Sequence, residues 1–190
     1  MLERRAAMAT LLADRPKDLF VVPGLGSCTW DAYAAGDDDR NFYLWGGMGG
    51  AAMIGLGLAL AKPQLKIAVI TGDGEMLMGM GALATIGVQR PKNLAVVIFD
   101  NGFYGETGMQ ESHTSSGVDL CEVARGCGFA DVSQISDEAG LRDLAERIRK
   151  LDGLLFARVH ISPDDPPRVL PEKDGVAIKE RVRRAVERVA

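Results

Sequence analysis

Two continuous apolar segments, residues 66–71 and 94–99, constrain the fold of this chain more than any other feature of its sequence. Such segments are typical of strands in a parallel sheet, because a parallel sheet is covered on both of its faces. The residues between them, from about 75 to 89, are predicted to form a helix. A strand, a helix and a second strand in this order predict a parallel pair joined by a right-handed crossover.

The rest of the chain continues this alternation of strands and helices, with Asp119 and Asp137 as the expected caps of the helices that follow them. Further strands are predicted at residues 18–22, 41–45 and 154–159 and around Val132, with polar loops at 24–40 and 101–117. Further helices are predicted at residues 2–14, 51–61, 120–127, 138–150 and 174–189. The pattern predicts an α/β fold with a doubly wound, mainly parallel sheet and helices on both faces. Residues 1–190 are expected to form a single domain, in which residues 162–190 are a C-terminal extension that ends in a helix.

The composition disfavours several classes of function. The net charge of −4 gives no reason to expect nucleic acid or an anionic membrane as a partner. No apolar segment is long enough to span a bilayer, and the first residues lack the apolar stretch of a signal peptide, so a cytoplasmic protein is expected. Cys28, Cys121 and Cys127 include no Cys-x-x-Cys pair, which argues against an iron–sulfur cluster or a structural zinc site.

Polar residues follow two neighbouring strands of the predicted sheet. Asp73 lies in a Gly-Asp-Gly turn after the strand at 66–71, and Asn101 follows the strand at 94–99. Because ligands of such sheets bind beyond the carboxyl ends of the strands, both side chains are expected to face one site. A carboxylate and an amide oxygen suit Mg²⁺, which also binds phosphate oxygens, and Gly74 lets backbone N–H groups approach a phosphate. The sequence therefore predicts a diphosphate site bridged by a metal ion.

These residues resemble the signature of a known family. The Gly-Asp-Gly triplet at 72–74 and the Asp-Asn pair at 100–101 are similar to the Gly-Asp-Gly and Asn-Asn motifs of thiamine diphosphate enzymes. In that family, the signature binds the cofactor diphosphate through Mg²⁺. The resemblance implies that the side chains of Asp73 and Asn101 and the backbone carbonyl of Phe103 bind the metal.

A second segment resembles the decarboxylases of this family. Residues 46–49, with the sequence Gly-Gly-Met-Gly, are similar to the segment that contacts the aminopyrimidine ring of the cofactor. The resemblance implies that Met48 holds the cofactor in a bent shape and that the carbonyl of Gly46 accepts a hydrogen bond from its 4′-amino group. Taken together, the implied cofactor-binding residues are Gly46, Met48, Gly72, Asp73, Gly74, Glu75, Asn101, Phe103 and Tyr104.

The sequence departs from the family signature at some positions, and the loop that follows the signature resembles one group of enzymes within the family. Asp100 stands in place of the first Asn of the Asn-Asn pair, and Glu75 stands in place of a small residue. Residues 101–110 are similar to a loop of the sulfopyruvate and phosphonopyruvate decarboxylases, which implies decarboxylation of a 2-oxo acid of that kind.

His113 is the candidate catalytic proton relay, because the ordinary pKa of histidine is close to neutral, although a solvated loop histidine is the alternative.

The resemblance covers only the diphosphate-binding domain of longer enzymes. In the family, the Glu that activates the cofactor lies on another domain, which implies a pyrimidine-binding α subunit and an oligomeric enzyme with the cofactor at the interface. Residues 105–117 contain no Lys or Arg, so a cation for a sulfonate or phosphonate must come from that partner, or the substrate is less anionic. The alternatives are a 2-oxoacid–ferredoxin oxidoreductase β subunit, a carboligase, and a non-catalytic cofactor-binding or regulatory domain.

Overall fold

The computed structural model describes residues 1–189 and is built around one parallel sheet. Its strands are β1 (Leu19–Pro23), β2 (Lys66–Gly72), β3 (Leu94–Asp100), β4 (Phe103–Tyr104), β5 (Gln110–Glu111), β6 (Asp131–Ile135) and β7 (Leu155–His160). Its helices are α1 (Arg4–Leu12), α2 (Ser27–Ala34), α3 (Ala51–Ala61), α4 (Asp73–Met78), α5 (Gly81–Gln89), α6 (Leu120–Gly126), α7 (Glu138–Lys150) and α8 (Gly175–Val189). The main sheet has the order β1-β2-β3-β7-β6 with every pair parallel, and β4 and β5 form a separate antiparallel ribbon.

Helices cover both faces of the main sheet. Successive side chains of a strand point to opposite faces, so Ile67 and Val69 of β2 pack in one core cluster, and Ala68 and Ile70 pack in the other. The first cluster is completed by α3, α5 and α6, and the second by α1, α2 and α7. The prediction of a doubly wound α/β fold is therefore confirmed. The carboxyl ends of the parallel strands lie along one edge of the sheet, where ligands of such folds bind.

The prediction of a polar loop at residues 24–40 is wrong, because Ser27–Ala34 form α2. The buried face of this short helix includes Asp31, which is completely inaccessible to solvent. The Asp31 carboxylate lies 2.5 Å from Nε of Arg4 and 3.2 Å from Nε of Arg5, both on α1. The helix thus depends on a long-range ion pair that no local pattern of apolar residues reveals.

The predicted strand at residues 41–45 is also absent from the described structure. Asn41 forms an isolated bridge with Val21 of β1, and the N–H of Phe42 donates to the Val21 carbonyl at 2.9 Å. After Phe42 the segment forms no further strand pairing with β1. Within the segment, Nδ2 of Asn41 donates to the hydroxyl of Tyr43 at 2.9 Å. The segment therefore runs beside the sheet without joining it.

The helix predicted at residues 75–89 is divided into α4 and α5 at Gly79 and Met80. A Cβ atom on Gly79 would lie 2.1 Å from the carbonyl oxygen of Gly49, so the backbone of residues 46–50 packs where only glycine fits. The break therefore brings the glycine-rich segment that contains Met48 against the start of the second helix.

The predicted helices at 51–61, 120–127, 138–150 and 174–189 agree with α3, α6, α7 and α8 to within one residue, whereas the helix predicted at 2–14 is shorter at both ends, as α1. The prediction of a loop at 101–117 is wrong in part, because this segment contains β4, β5 and a short 3-10 helix. The last helix, α8, packs on the core through Ile178, Val182, Ala185 and Val186, and exposed ion pairs also join Arg181 to Asp37 at 2.8 Å and Arg188 to Asp39 at 2.6 Å. The predicted single domain includes Ala190, which lies outside the described residues. Within residues 1–189, no helix combines the length and the apolar character needed to cross a membrane.

Candidate functional site

A cavity of about 220 Å³ opens at the carboxyl ends of β2, β3 and β7. Its walls come from the β1–α2 loop, the turn between β2 and α4, the loop after β3 and the segment after β7. Gly46 and His113 are not among its lining residues. The predicted site residues that do line it are Met48, Gly72, Asp73, Gly74, Glu75, Asn101, Phe103 and Tyr104.

The register of the sheet explains why Asp73 and Asn101 share this cavity. Gly72 of β2 is the register partner of Phe99 of β3, so the residues that follow the two strands leave the sheet side by side. Asp73 is the first residue of α4 and is 2% exposed. Oδ1 of Asn101 accepts a hydrogen bond from the N–H of Phe103 at 2.9 Å, which fixes the amide side chain against its own loop.

Two hydroxyl groups lie at the Asp73 carboxylate, and Ser112 is the one that donates to it. Oγ of Ser112 donates to Oδ2 at 2.5 Å, and Oγ1 of Thr114 lies 3.3 Å from the same oxygen. Burial raises the pKa of Asp73 to about 6, although the hydrogen bonds from the hydroxyls favour the ionised form. A carboxylate that has lost its water in this way, at the wall of a cavity, is stabilised by a cation that takes the place of that water.

The negative charge of Asp100, which departs from the family signature, is balanced by other residues of the protein. Its Oδ2 accepts from Nε of Arg158 at 2.6 Å, and its Oδ1 accepts from the N–H of Gly102 and the hydroxyl of Thr114 at 2.9 Å each. Arg158 lies on β7, two positions before His160, which is the register partner of Asp100. The charge of Asp100 is therefore paired across adjacent strands, behind the cavity wall.

Glu75, the other departure, joins three segments around the cavity. Its Oε2 accepts from the N–H of Leu25 and from the hydroxyl of Thr71, both at 2.7 Å, and its Oε1 accepts from the N–H of Ala51 at 3.3 Å. The side chain is 4% exposed, and a Cβ atom on Gly24 would lie 2.2 Å from Oε2. One carboxylate therefore sets the spacing of the β1–α2 loop, the end of β2 and the start of α3. Because protein donors occupy both oxygens, Glu75 is compatible with a second anion nearby.

Tyr104 connects the cavity to His113. A Cβ atom on Gly74 would lie 2.5 Å from Cδ1 of Tyr104, so only glycine allows the ring to pack this closely on the turn after β2. The Tyr104 hydroxyl lies 3.3 Å from Nδ1 of His113, whose side chain is exposed. A proton exchanged between His113 and the cavity would therefore pass through the tyrosine hydroxyl.

Of the residues predicted to contact the pyrimidine, Met48 lines the cavity and Gly46 does not. Gly46 and Gly47 have φ angles of 146° and 65°, and the positions of their absent Cβ atoms are open. Met48 is 39% exposed while also lining the cavity. This part of the predicted site therefore faces outward from the chain.

The sequence analysis missed the contribution of the β1–α2 loop. Leu25 and Ser27 line the cavity, and Gly26, with a φ angle of 78°, precedes a helix start that has no side-chain cap. The free N–H groups and the dipole of an uncapped helix favour an anion at this position. The Gly-x-Gly-Ser sequence at 24–27, directly after a strand, is the signal that could have predicted it.

The charge on the far wall of the cavity is mainly negative. Glu106, Asp164 and Asp165 line this wall, and burial raises the pKa of Glu106. Among residues 1–189, Arg4 is the one Lys or Arg that lines the cavity, and it is already paired with Asp31. Beside this wall, Arg168 lies 3.6 Å from the Glu106 carboxylate and partly balances its charge.

The donor set fits a hard divalent cation. In the part of the chain that the structure describes, no three His, Cys, Asp or Glu side chains converge to hold a metal. The oxygens available are instead the Asp73 carboxylate, the Asn101 amide and the Phe103 backbone carbonyl. Mg²⁺ characteristically binds through one or two carboxylates and completes its shell with phosphate oxygens and water, so this sparse set suits it better than a transition metal.

Comparison with known proteins places most of this chain in one family. A model of the family described as "Thiamine pyrophosphate enzyme, C-terminal TPP binding domain" matches residues 25–159. The match begins in the β1–α2 loop and ends in β7, so it contains most of the residues that line the cavity but not Arg4 or those of the segment after β7.

Several curated relatives are similar to this chain. Phosphonopyruvate decarboxylase of Streptomyces viridochromogenes is 39% identical over 84% of this chain and 40% of that protein. Sulfopyruvate decarboxylase subunit beta of Methanocaldococcus jannaschii is 46% identical over 62% of each chain. The same subunit of Methanothermobacter thermautotrophicus is 35% identical over 95% of this chain and 94% of the relative. The chain thus spans well under two thirds of the first of these relatives and nearly all of the last.

A solved structure supports the fold. The 2-oxoglutarate:ferredoxin oxidoreductase of Magnetococcus marinus matches with a TM-score of 0.66 and 17% identity, over 95% of this chain and 75% of that one. Identity at this level establishes the shared α/β architecture and nothing more specific.

Proposed function

Because this chain belongs to the thiamine pyrophosphate (thiamine diphosphate) enzyme family, through its C-terminal TPP binding domain, we propose that it is the diphosphate-binding subunit of a Mg²⁺-dependent decarboxylase. The substrate is a 2-oxo acid of the sulfopyruvate or phosphonopyruvate kind. The observation that carries the proposal is the meeting of Asp73 and Asn101 in one cavity, at the ends of adjacent strands, inside the segment that matches the family.

The cofactor diphosphate is held mainly by backbone groups and the cation. Asp73, Asn101 and the Phe103 carbonyl bind Mg²⁺, and the diphosphate lies against the glycine turn at 72–74 and the start of α2. The N-terminus of α2 supports this arrangement, because no side chain caps its N–H groups, which can therefore face an anion.

The pyrimidine half of the cofactor lies between this chain and a partner α subunit, which supplies the activating Glu. Two relatives are named subunit beta, and Met48, which lines the cavity, is 39% exposed. Met78 and Met80, next to the contact between residues 49 and 79, are 69% and 38% exposed. Exposed apolar side chains grouped beside a binding site are typical of a protein interface, which supports a partner at this face.

The residues of this chain bind and orient rather than perform the bond cleavage. The bound cofactor supplies the electron sink that accepts the electrons left when CO₂ departs from the 2-oxo acid. Among the groups of this chain that can hold a proton beside the cavity are Tyr104, whose hydroxyl lies 3.3 Å from His113, and Glu106. Carboxylates dominate the far wall of the cavity, since Arg4 is paired with Asp31 and Arg168 lies 3.6 Å from Glu106, so we assign the cation that binds a sulfonate or phosphonate to the α subunit.

Calorimetric titration with thiamine diphosphate tests the first part of this proposal. Binding is expected to require Mg²⁺, and thiamine, which lacks the diphosphate, is expected to bind far more weakly. After addition of the α subunit, sulfopyruvate or phosphonopyruvate should release CO₂ and the corresponding aldehyde. Equal binding with and without Mg²⁺ would contradict the site, and electron transfer to ferredoxin in place of aldehyde release would favour an oxidoreductase.

The affinity of this site for Mg²⁺ should fall as the pH falls below about 6. Burial raises the pKa of Asp73 to about 6, and a proton competes with the cation for the carboxylate. Above that pH the carboxylate is ionised and the affinity should be nearly constant, whereas below it the affinity should fall about tenfold per pH unit. Titrations of Mg²⁺ at constant thiamine diphosphate measure this profile, with the affinity of the free cofactor for Mg²⁺ measured in the same buffers as the reference. A flat profile down to about pH 5 would contradict the prediction.

A further inference from the structure

A chain of buried polar groups extends from Asp73 into the protein, away from the cavity. Oγ of Ser112 and Oγ1 of Thr114 are 2.8 Å apart, and the two residues are 1% and 9% exposed. Thr114 is in turn 2.9 Å from Asp100, which Arg158 binds at 2.6 Å. The chain joins the loop after β5, the end of β3 and the middle of β7.

We propose that Ser112 and Thr114 are positioning residues: the Ser112 hydroxyl holds the Asp73 carboxylate in the orientation that a divalent cation requires, and Thr114, anchored on the Asp100–Arg158 pair, holds the Ser112 side chain in place. This inference rests on the proposed function, because the cation at Asp73 is part of that proposal. The new point is that the metal affinity of the site also depends on residues that do not touch the metal.

The geometry at the carboxylate supports this role. Both hydroxyls approach the same oxygen of Asp73, Oδ2, and neither approaches Oδ1. The Ser112 hydroxyl therefore fixes the carboxylate by Oδ2 and leaves Oδ1 free of both hydroxyls, in a residue that lines the cavity. Mg²⁺ demands a nearly ideal octahedral arrangement, so a carboxylate that is fixed before binding loses less entropy than a mobile one. Hydrogen-bond partners of metal-binding side chains generally change metal affinity by about 10- to 100-fold.

The loop is built to direct both hydroxyls inward. The N–H of Ser112 and Oγ of Ser115 donate to the carbonyl of Gly102 at 2.8 Å and 2.7 Å, which pins the loop to the turn after β3. Ser112 and Thr114 are buried, whereas His113 between them is exposed. This alternation places the two hydroxyls together on the inner side, and it explains why a polar Ser-x-Thr sequence is buried at this point.

The ion pair between Asp100 and Arg158 reduces the repulsion between the carboxylates of Asp100 and Asp73. Without the guanidinium, the Asp100 carboxylate would lie beside Asp73 with only two hydroxyl groups between them, and the two negative charges would repel. Because Arg158 takes Oδ2 of Asp100, the other oxygen remains free to bind Thr114. The substitution of Asp for the family Asn is thus matched by an arginine on the adjacent strand.

The test compares the Mg²⁺ affinity of variants at constant thiamine diphosphate. Ser112→Ala and Thr114→Val are each expected to lower this affinity by about tenfold or more, because each removes one hydroxyl while keeping the side chain small or isosteric. Ser112→Thr keeps the hydroxyl and is expected to stay within about threefold of the wild type. Ser116→Ala is the matched control, because Ser116 is exposed on the same loop. The hydrogen bond of Ser116 uses its backbone N–H, which the substitution keeps.

Thermal unfolding without metal separates positioning from a general loss of structure. A purely structural role would lower the Tm of Ser112→Ala while leaving the Mg²⁺ affinity of the folded protein unchanged, and that result would overturn the inference. Equal loss of affinity in Ser112→Thr and Ser112→Ala would also overturn it, since the hydroxyl would not be the cause. Failure of the wild type to bind thiamine diphosphate with Mg²⁺ would instead remove the proposed function itself.

Discussion

Asp73→Asn should abolish metal-dependent binding of thiamine diphosphate while the protein remains folded. The substitution keeps the size of the side chain and an oxygen that can accept from Ser112, but it removes the charge that binds the cation. Because loss of a mere hydrogen-bond partner of a metal-binding residue costs about 10- to 100-fold, loss of the charged residue itself should cost at least about 100-fold in Mg²⁺-dependent affinity. Calorimetry with and without Mg²⁺ measures the change.

The same variant should be at least as stable as the wild type at pH 7 when metal is absent. Burial raises the pKa of Asp73 to about 6, so the native state disfavours the ionised carboxylate relative to the unfolded chain. That penalty is absent below about pH 4, grows as the pH rises to about 6, and is fully present at pH 7. A neutral amide removes it, so the gain in the free energy of unfolding of Asp73→Asn over the wild type should grow across this interval.

Asp164→Asn provides the matched control for Asp73→Asn. Asp164 also lines the cavity, so this change removes one negative charge from the same space. It should leave the Mg²⁺-dependent affinity within about threefold of the wild type, since a nearby charge acts more weakly than a bound ligand. Equal losses in the two variants would mean that the total charge of the cavity, and not a ligand at Asp73, controls binding.

Glu75→Ala should destabilise the protein by about 3 kcal/mol and lower its Tm by roughly 10 °C. The change leaves the N–H groups of Leu25 and Ala51 and the hydroxyl of Thr71 without their acceptor in a region closed to water. It also separates three segments that border the cavity, so cofactor affinity should fall together with stability. Thermal and urea denaturation measure the first effect, and calorimetry measures the second.

Two further variants calibrate this result. Glu75→Gln keeps one oxygen for Leu25 and Thr71 but presents an N–H₂ group to the N–H of Ala51, so it should lose about half as much stability as Glu75→Ala. Glu122→Ala, at an exposed position of α6, should change the free energy of unfolding by less than about 0.5 kcal/mol. If Glu75→Ala were as stable as Glu122→Ala, the hydrogen bonds of the Glu75 carboxylate would not be what joins the three segments.

The strength of local periodicity decided how much of the fold the sequence could predict. The continuous apolar segments that became β2 and β3, and the amphipathic segments that became α7 and α8, were found because their burial follows from their own side chains. α2 was missed because Asp31 is buried only through its pairing with α1. The break between α4 and α5 was missed because its cause is the backbone of Gly49, which is distant in sequence.

The candidate site shows the same division between local and long-range information. Asp73 and Asn101 could be placed in one site because they follow adjacent strands of a parallel sheet, a relation that topology alone requires. The roles of Glu75, Ser112 and Thr114 could not be predicted, because each depends on contacts between residues that are far apart along the chain. Resemblance identified the motif, while the structure showed which other residues surround it.

The central claim, that Asp73 and Asn101 bind a cation that holds a diphosphate, is tested most directly by a crystal structure with thiamine diphosphate and Mg²⁺. The account predicts a cation at about 2.1 Å from a carboxylate oxygen of Asp73 and from the amide oxygen of Asn101, with diphosphate oxygens completing its shell. A cation bound instead by Glu106 and Asp164, or a diphosphate located outside this cavity, would contradict it.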